Sequence, residues 1–115
     1  MNETVWAHLH NRGLTPGQLA LSKVGHDQGR VYLVVAVDGS FADCVDGKHR
    51  TLGNPKRKRV KHLRQLGAID AFEPGWRETL EQMHDPGQQN AYIRQLIISH
   101  PGWQPDRPDN AQILS

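Results

Sequence analysis

The chain has 115 residues, one cysteine and 14 Lys and Arg against 12 Asp and Glu. This length accommodates one small domain with short extensions and excludes a separate nucleotide-binding domain. One cysteine excludes an internal disulfide or a zinc site of several cysteines, and the longest apolar run, Val31–Val37, is too short to cross a bilayer. The N-terminus also lacks the basic region and apolar stretch of a secretory signal, so we expect a cytoplasmic protein.

The N-terminal half of the chain predicts a small β domain. Residues 1–17 form a short lead, because Gly13 and Pro16 interrupt any helical pattern. Residues 18–64 contain five short segments with strand character. Five strands in fewer than fifty residues leave no room for two sheets, so we expect a strongly bent SH3-like β-barrel that closes most strand edges.

Glycine-containing turns separate the predicted strands. Gly25–Gly29 is a loop with two glycines that tolerate positive φ, and Asp38-Gly39 and Asp46-Gly47 predict tight hairpins. Val31–Val37 is rich in β-branched residues, which favours a buried strand. The five strands are expected around Leu19 and Leu21 and at Val31–Val37, Phe41–Val45, Lys48–Leu52 and Arg59–Leu63.

Residues 65–100 change to a helical period and are expected to form a helical extension. The first helix carries an apolar stripe of Trp76, Leu80 and Met83 and is predicted to end at Pro86-Gly87. The second is predicted to begin at Asn90 and carries Ile93, Leu96 and Ile97 on one face. Residues 101–115 hold three prolines together with Asp106, Asp109 and Asn110, so we expect a disordered tail.

Positive charge is concentrated in one segment of the chain. Residues 48–64 contain eight of the fourteen Lys and Arg and no Asp or Glu, whereas residues 65–115 contain three basic and seven acidic residues. Such a local field attracts polyanions even though the formal net charge is only +2. Pro55–Val60 also resembles a nuclear localisation tract, and a solvated basic loop is the other alternative to a nucleic-acid contact.

Several stretches together resemble one protein family. Gly17–Val34 resembles the KOW motif, in which polar and apolar residues alternate around an invariant glycine. Asp46–Arg50, Pro55–Leu63 and, more loosely, Asn90–Arg94 are similar to a bacterial group of small KOW-domain RNA-binding proteins related to archaeal and eukaryotic large-subunit ribosomal proteins. The resemblance implies an SH3-like barrel without enzymatic activity and a ribosomal or other structured RNA as partner.

The predicted RNA contacts are the cations of residues 48–64 and their neighbours. Lys and Arg neutralise phosphates and release counterions, and Arg also forks onto phosphate. Strand alternation predicts that Lys56 and Lys58 point to one side, and Arg57, Arg59 and Lys61 to the other. The candidate RNA-binding residues are Lys23, Arg30, Lys48, His49, Arg50, Lys56, Arg57, Lys58, Arg59, Lys61, His62 and Arg64.

The Gly25–Gly29 loop departs from the family pattern. His26 and Gln28 stand where relatives tend to carry basic residues, so we expect this loop to hold phosphate less strongly. Asp27 is predicted to accept hydrogen bonds from nearby loop N–H groups in an Asx-type turn.

Other side chains carry weaker signals. Tyr32 and Phe41 are expected in the core rather than in a base-stacking platform, and Trp76 is expected to anchor the first helix on the barrel. Trp103 is expected either to contact a partner or to cover the second helix. The histidines lack metal-ligand spacing and Cys44 lacks an oriented base, so we expect no catalytic residue, no metal and no cofactor.

Three interpretations of function remain open at this point. The first is binding of structured RNA, most simply ribosomal RNA, with translation or ribosome association as the setting. The second is a protein-interaction module of the translation or transcription machinery, with ribosomal proteins as possible partners. The third is binding of duplex DNA, which a comparison with structured RNA of equal length separates from the first.

Overall fold

The computed structural model describes residues 14–100 and Trp103. Five antiparallel strands form one sheet, and two short helices follow near the C-terminus. The mainly β fold with a helical C-terminal extension is therefore confirmed. The strands are β1 (Gln18–Ser22), β2 (Val31–Asp38), β3 (Phe41–Val45), β4 (Lys56–Arg59) and β5 (Leu63–Ala68), and the helices are α1 (Trp76–Glu81) and α2 (Pro86–Ser99).

The sheet bends back on itself because of the way its edges are connected. The strand order is β4-β3-β2-β1-β5, so β4 and β5 are the two outer strands. These two strands are also consecutive in the chain, and only the single-turn 3₁₀ helix Val60–His62 joins them. A three-residue connection between opposite edges requires a strongly curved sheet, which gives the domain its barrel-like form. Register shifts between Leu19 and Ala20 and between Val34 and Ala36 add local bends.

The central strands are buried on both faces, which explains the unbroken apolar run at the start of β2. Val31 and Leu33 belong to a core that lies between the sheet and the helices, whereas Tyr32 and Val34 belong to a second core on the other face. The first core also contains Leu19, Leu21, Val45, Ile69, Trp76, Ile93, Leu96 and Ile97, and the second contains Leu14, Ala20, Ala42, Cys44, Val60 and Leu63. The expected role of Trp76 as an anchor is thus confirmed.

The predicted strand Lys48–Leu52 is wrong, because a side chain captures its backbone amides. Asp46 Oδ1 accepts hydrogen bonds from the backbone N–H groups of Lys48, His49 and Arg50 at 2.8–2.9 Å. These amides therefore close a compact loop and are not available for a strand ladder. Within residues 48–54, the structure shows one isolated β-bridge, between Thr51 and Asn54.

The predicted strand Arg59–Leu63 is also wrong in its bounds. The chain pairs with β3 earlier, at Lys56–Arg59, then turns through the 3₁₀ helix, and a new strand begins at Leu63. Since β5 continues to Ala68, the sheet extends beyond residue 64.

The helices differ from expectation at two boundaries. α1 ends at Glu81, so Met83 of the predicted stripe lies beyond it. Pro86 does not end a helix but occupies the first turn of α2, where its missing N–H costs nothing. Asp85 caps this turn, since its side chain accepts a hydrogen bond from the backbone N–H of Gln88. α2 therefore begins four residues before Asn90, and it ends next to His100, as expected.

Two predictions lie largely outside the described residues. These are the lead at residues 1–17, of which the structure describes residues 14–17, and the tail at 101–115, of which it describes Trp103. Trp103 packs against the core that contains α2, as expected of a residue that covers this helix. None of the helices in the described ranges has the length and hydropathy needed to span a membrane.

Candidate nucleic-acid interface

A cleft of about 310 Å³ gathers cationic side chains from three separate parts of the chain. The loop before β2 contributes one wall, the loop after β3 contributes Arg50, and β4 contributes Lys56 and Lys58. We call it the basic cleft, and its lining residues are Gly25, His26, Asp27, Arg30, Tyr32, Arg50, Lys56 and Lys58.

A buried ion pair connects the two sides of the basic cleft. Lys58 Nζ lies 2.9 Å from Asp27 Oδ1 and donates a second hydrogen bond to the carbonyl of Val24 at 3.3 Å. Lys58 and Asp27 are 8% and 7% exposed, so both charges are largely removed from water. The ammonium of Lys58 therefore stabilises the fold by joining β4 to the Gly25–Gly29 loop, and its charge is already partly balanced.

Asp27 is the centre of this buried network. Its carboxylate also accepts hydrogen bonds from Ser22 Oγ at 2.9 Å and from the Tyr32 hydroxyl at 2.6 Å. Burial by itself raises the pKa of Asp27, but the bonds from Tyr32, Lys58 and Ser22 and the charge of Lys58 outweigh it and lower the pKa to about 2. The Asx-type contacts predicted for Asp27 are replaced by these side-chain bonds. Burial and the Asp27 carboxylate raise the pKa of Tyr32, which remains a neutral hydrogen-bond donor.

The strand alternation predicted for residues 56–61 agrees with the structure at residues 56–59, whereas Lys61 lies in the 3₁₀ helix Val60–His62 and not on a strand. Lys56 and Lys58 line the basic cleft, whereas Arg57 and Arg59 are exposed on the other side of β4. There the two guanidinium groups lie 4.9 and 5.0 Å from the centre of the Phe41 ring. Phe41 was expected in the core and is instead only half-buried, because its neighbour Ala42 takes the inward position on β3.

Arg57 is balanced by acidic residues on this outer side. It lies 3.2 Å from Asp38 Oδ2 and 3.5 Å from Asp43 Oδ1. Two acidic partners at a largely exposed guanidinium weaken its attraction for phosphate, although each such surface pair contributes little to stability.

Asp46 organises the loop that carries Arg50. Besides accepting three backbone amides, its carboxylate lies 3.2 Å from His49 Nδ1 and 3.9 Å from Arg30 Nε. Lys48 is exposed on the same loop, and Arg50 is half-buried at the basic cleft. The loop therefore presents Arg50 from a backbone that Asp46 holds in place.

A second group of cations surrounds His62, and we call it the His62 cluster. Partial desolvation and then the charges of Lys61, Lys58, Arg59 and Lys23 lower the pKa of His62. Lys23 is also tied to this region through its backbone, since its N–H donates to the His62 carbonyl at 2.8 Å. Because Lys58 contributes to both groups, the basic cleft and the His62 cluster are electrostatic neighbours. Arg64 is exposed on β5, opposite Leu21 of β1.

The cations of these two groups differ in how far acidic residues balance them. Within the described part of the chain, seven candidate lysines and arginines make no ion pair with Asp or Glu: Lys23, Lys48, Arg50, Lys56, Arg59, Lys61 and Arg64. Of these, Arg50 and Lys56 are the ones that line the basic cleft.

His26, Asp27 and Tyr32 line the basic cleft but were not among the predicted RNA-binding residues. Tyr32 is a polar group within an apolar segment, and that placement was the available signal. In residues 14–100 and at Trp103, no group of three or more His, Cys, Asp or Glu side chains is arranged to hold a metal ion. Burial raises the pKa of the Cys44 thiol to about 12, so it is not a thiolate near neutral pH.

Neither the models of protein families nor the curated proteins contain a match to this chain.

Proposed function

We propose that this protein binds structured RNA through the basic cleft and the His62 cluster. The main observation in support is that the curved sheet brings cations from three chain segments to one cleft. Several of these cations have no acidic partner among the described residues. Phosphate neutralisation and the release of counterions supply the affinity. The setting we propose is a ribosomal or other translation RNA in the cytoplasm, without enzymatic activity.

The way the cations are presented favours recognition of shape over reading of base edges. In the described part of the chain, neither α1 nor α2 lines the basic cleft, so neither is placed to read base edges there. The ring of Tyr32 is fully buried and is therefore not available for stacking on a base. Proteins that recognise folded RNA commonly contact phosphates across a surface in this manner. We therefore propose that RNA structure rather than sequence determines the affinity.

The experiment is a titration of fluorescent RNA hairpins and a matched DNA duplex at several salt concentrations. We compare the wild type with Lys56→Gln/Lys61→Gln, which removes two cations without acidic partners, and with Arg57→Gln/Arg77→Gln, which changes the net charge equally at other positions. We expect the first variant to weaken RNA binding and to reduce the salt slope by about 0.7–0.9 per lost phosphate contact. The second variant should bind nearly as well as the wild type.

Three results would contradict the proposal. The absence of RNA binding at moderate salt would reject the function itself. Equal weakening by both variants would mean that net charge, rather than this surface, governs binding. Equal affinity for the DNA duplex would reject the preference for RNA.

A further inference from the structure

The basic cleft is large enough to hold a small molecule, in addition to contacting the backbone of an RNA. Its volume of about 310 Å³ lies at the lower end of the range for ligand pockets, about 300–1,000 Å³. Its lining residues come from one side of β4, from β2 and from two loops, so the site is concave. An exposed strand that only follows an RNA backbone does not need such a depression.

The base of the basic cleft is polar and rigidly held. Lys58 uses two of its three ammonium protons on Asp27 and Val24, which leaves one donor without a partner among the described residues. Gly25 adopts a φ of +94°, and a Cβ there would lie 3.4 Å from Asp27 Oδ1 and 3.9 Å from Lys58 Nζ. The glycine therefore leaves the space above this ion pair open.

The unpaired positive charge of the basic cleft favours a ligand that carries more than one negative charge. Asp27 is paired with Lys58, and Arg30 lies 3.9 Å from Asp46. Arg50 and Lys56 remain without an acidic partner in the described ranges, and they line the same space. An internal phosphodiester carries a single charge, whereas a terminal phosphate monoester carries about −1.5 to −2 at pH 7 and has three acceptor oxygens.

We propose that the basic cleft binds a phosphate monoester, with Arg50 and Lys56 as the principal ligands of the phosphate. This inference specifies which part of an RNA the basic cleft binds. It rests on the proposed function when the phosphate monoester is the end of an RNA. The same chemistry is present in a free nucleoside monophosphate, so the experiment separates these two sources. Arg50 supplies a forked donor and Lys56 a point charge, a combination suited to three oxygens around one phosphorus.

The test compares RNA oligomers of one sequence that carry a phosphate at the 5′ end, at the 3′ end or at neither end, and adenosine monophosphate alone. Binding is measured with the full chain by calorimetry and by changes in the amide spectrum of residues 25–30. We expect a terminal phosphate to increase affinity at least about tenfold, comparable to one added charge-assisted hydrogen bond. Arg50→Gln/Lys56→Gln should abolish this increase.

A matched variant, Lys61→Gln/Arg64→Gln, removes one Lys and one Arg outside the basic cleft. It should retain the ratio between phosphorylated and unphosphorylated oligomers even where overall affinity falls. An unchanged amide spectrum away from the substitutions establishes that each variant is folded. Adenosine monophosphate could bind through Arg50 and Lys56 while the phosphorylated and unphosphorylated oligomers bind with equal affinity. That result would support the monoester site and identify its ligand as a free nucleotide rather than an RNA end.

The inference is overturned if a terminal phosphate changes no affinity and adenosine monophosphate does not bind. It is also overturned if both double variants reduce the ratio equally. In either case, continued binding of unphosphorylated RNA by the wild type would leave the proposed function intact. Loss of all RNA binding, together with retained binding of the monophosphate, would instead reject the proposed function alone.

Discussion

Lys58 shows how one residue in a basic run can differ from its neighbours. Arg57 and Arg59 are exposed, whereas Lys58 is buried against Asp27. Lys58→Ala would leave the Asp27 carboxylate without its counter-charge, so we expect the free energy of unfolding to fall by about 3 kcal/mol. The measurement is urea denaturation, with the exposed Lys61→Ala as the control, which should change stability by less than about 0.5 kcal/mol. Equal effects of the two substitutions would contradict a structural role for Lys58.

The pKa of Asp27 predicts how stability changes in acid. The folded pKa is about 2, below the unfolded value near 3.8, so the native state favours the charged carboxylate. Its contribution is therefore fully present above about pH 4 and is lost as the pH falls towards about 2. Urea denaturation at a series of pH values should show this loss, and Asp27→Asn should flatten the curve between pH 4 and 2. A curve of unchanged steepness in the variant would assign the acid sensitivity to other carboxylates.

At the scale of the element, the loop after β3 is fixed by its contact with α2. Gly47 has a φ of +78°, and a Cβ there would meet the Asn90 carbonyl and the Arg94 side chain. Arg94 also donates a hydrogen bond to the Gly47 carbonyl. The loop that presents Arg50 is therefore positioned by the helix as well as by Asp46.

This contact predicts that two glycine substitutions with similar backbone strain differ in cost. Gly39 has a φ of +60° and has nothing within 4 Å of an added Cβ, so Gly39→Ala should cost only the left-handed strain of about 1–2 kcal/mol. Gly47→Ala adds a clash with α2 and should cost about 1–3 kcal/mol more. Thermal unfolding of both variants measures the difference. Equal losses would mean that α2 moves aside without penalty.

The elements also show which parts of the fold could be predicted from the sequence. Val31–Val37 was identified by its unbroken apolar run, rich in β-branched residues, and the helix at Trp76 by the spacing of its apolar stripe, since both patterns reflect burial. Lys48–Leu52 was misassigned because the Asp46 side chain, and not a strand, satisfies its amides. Pro86 was misread because proline marks both the end and the first turn of a helix, and the cap by Asp85 decides between them.

The candidate site was predictable to a similar extent. The two-residue period correctly separated Lys56 and Lys58 from Arg57 and Arg59. The pairing of Lys58 with Asp27 was not predictable, because it joins residues 31 positions apart whose approach depends on the register of the whole sheet. A local pattern identifies a charge but not the partner that neutralises it.

For the whole molecule, charge is divided between the strands and the C-terminal part. Residues 18–64 contain ten basic and four acidic residues, whereas residues 65–115 contain three basic and seven acidic ones. The two parts share one core, since Trp76, Ile93 and Leu96 pack against the sheet. Deletion of the helices would therefore expose this core, and surface substitutions are the appropriate way to separate RNA binding from protein binding.

His62 provides a readout of the resulting positive field. Partial desolvation and then Lys61, Lys58, Arg59 and Lys23 hold its pKa below the usual value. A bound polyanion compensates these cations, so we expect RNA to raise the pKa of His62 and RNA binding to strengthen as the pH falls through that pKa. NMR titration of the imidazole signals, with and without an RNA hairpin, measures the shift. The control is the same titration with an uncharged polymer in place of the RNA, which should leave the pKa of His62 unchanged because it brings no negative charge. An unchanged His62 pKa in the complex would place the RNA away from the His62 cluster.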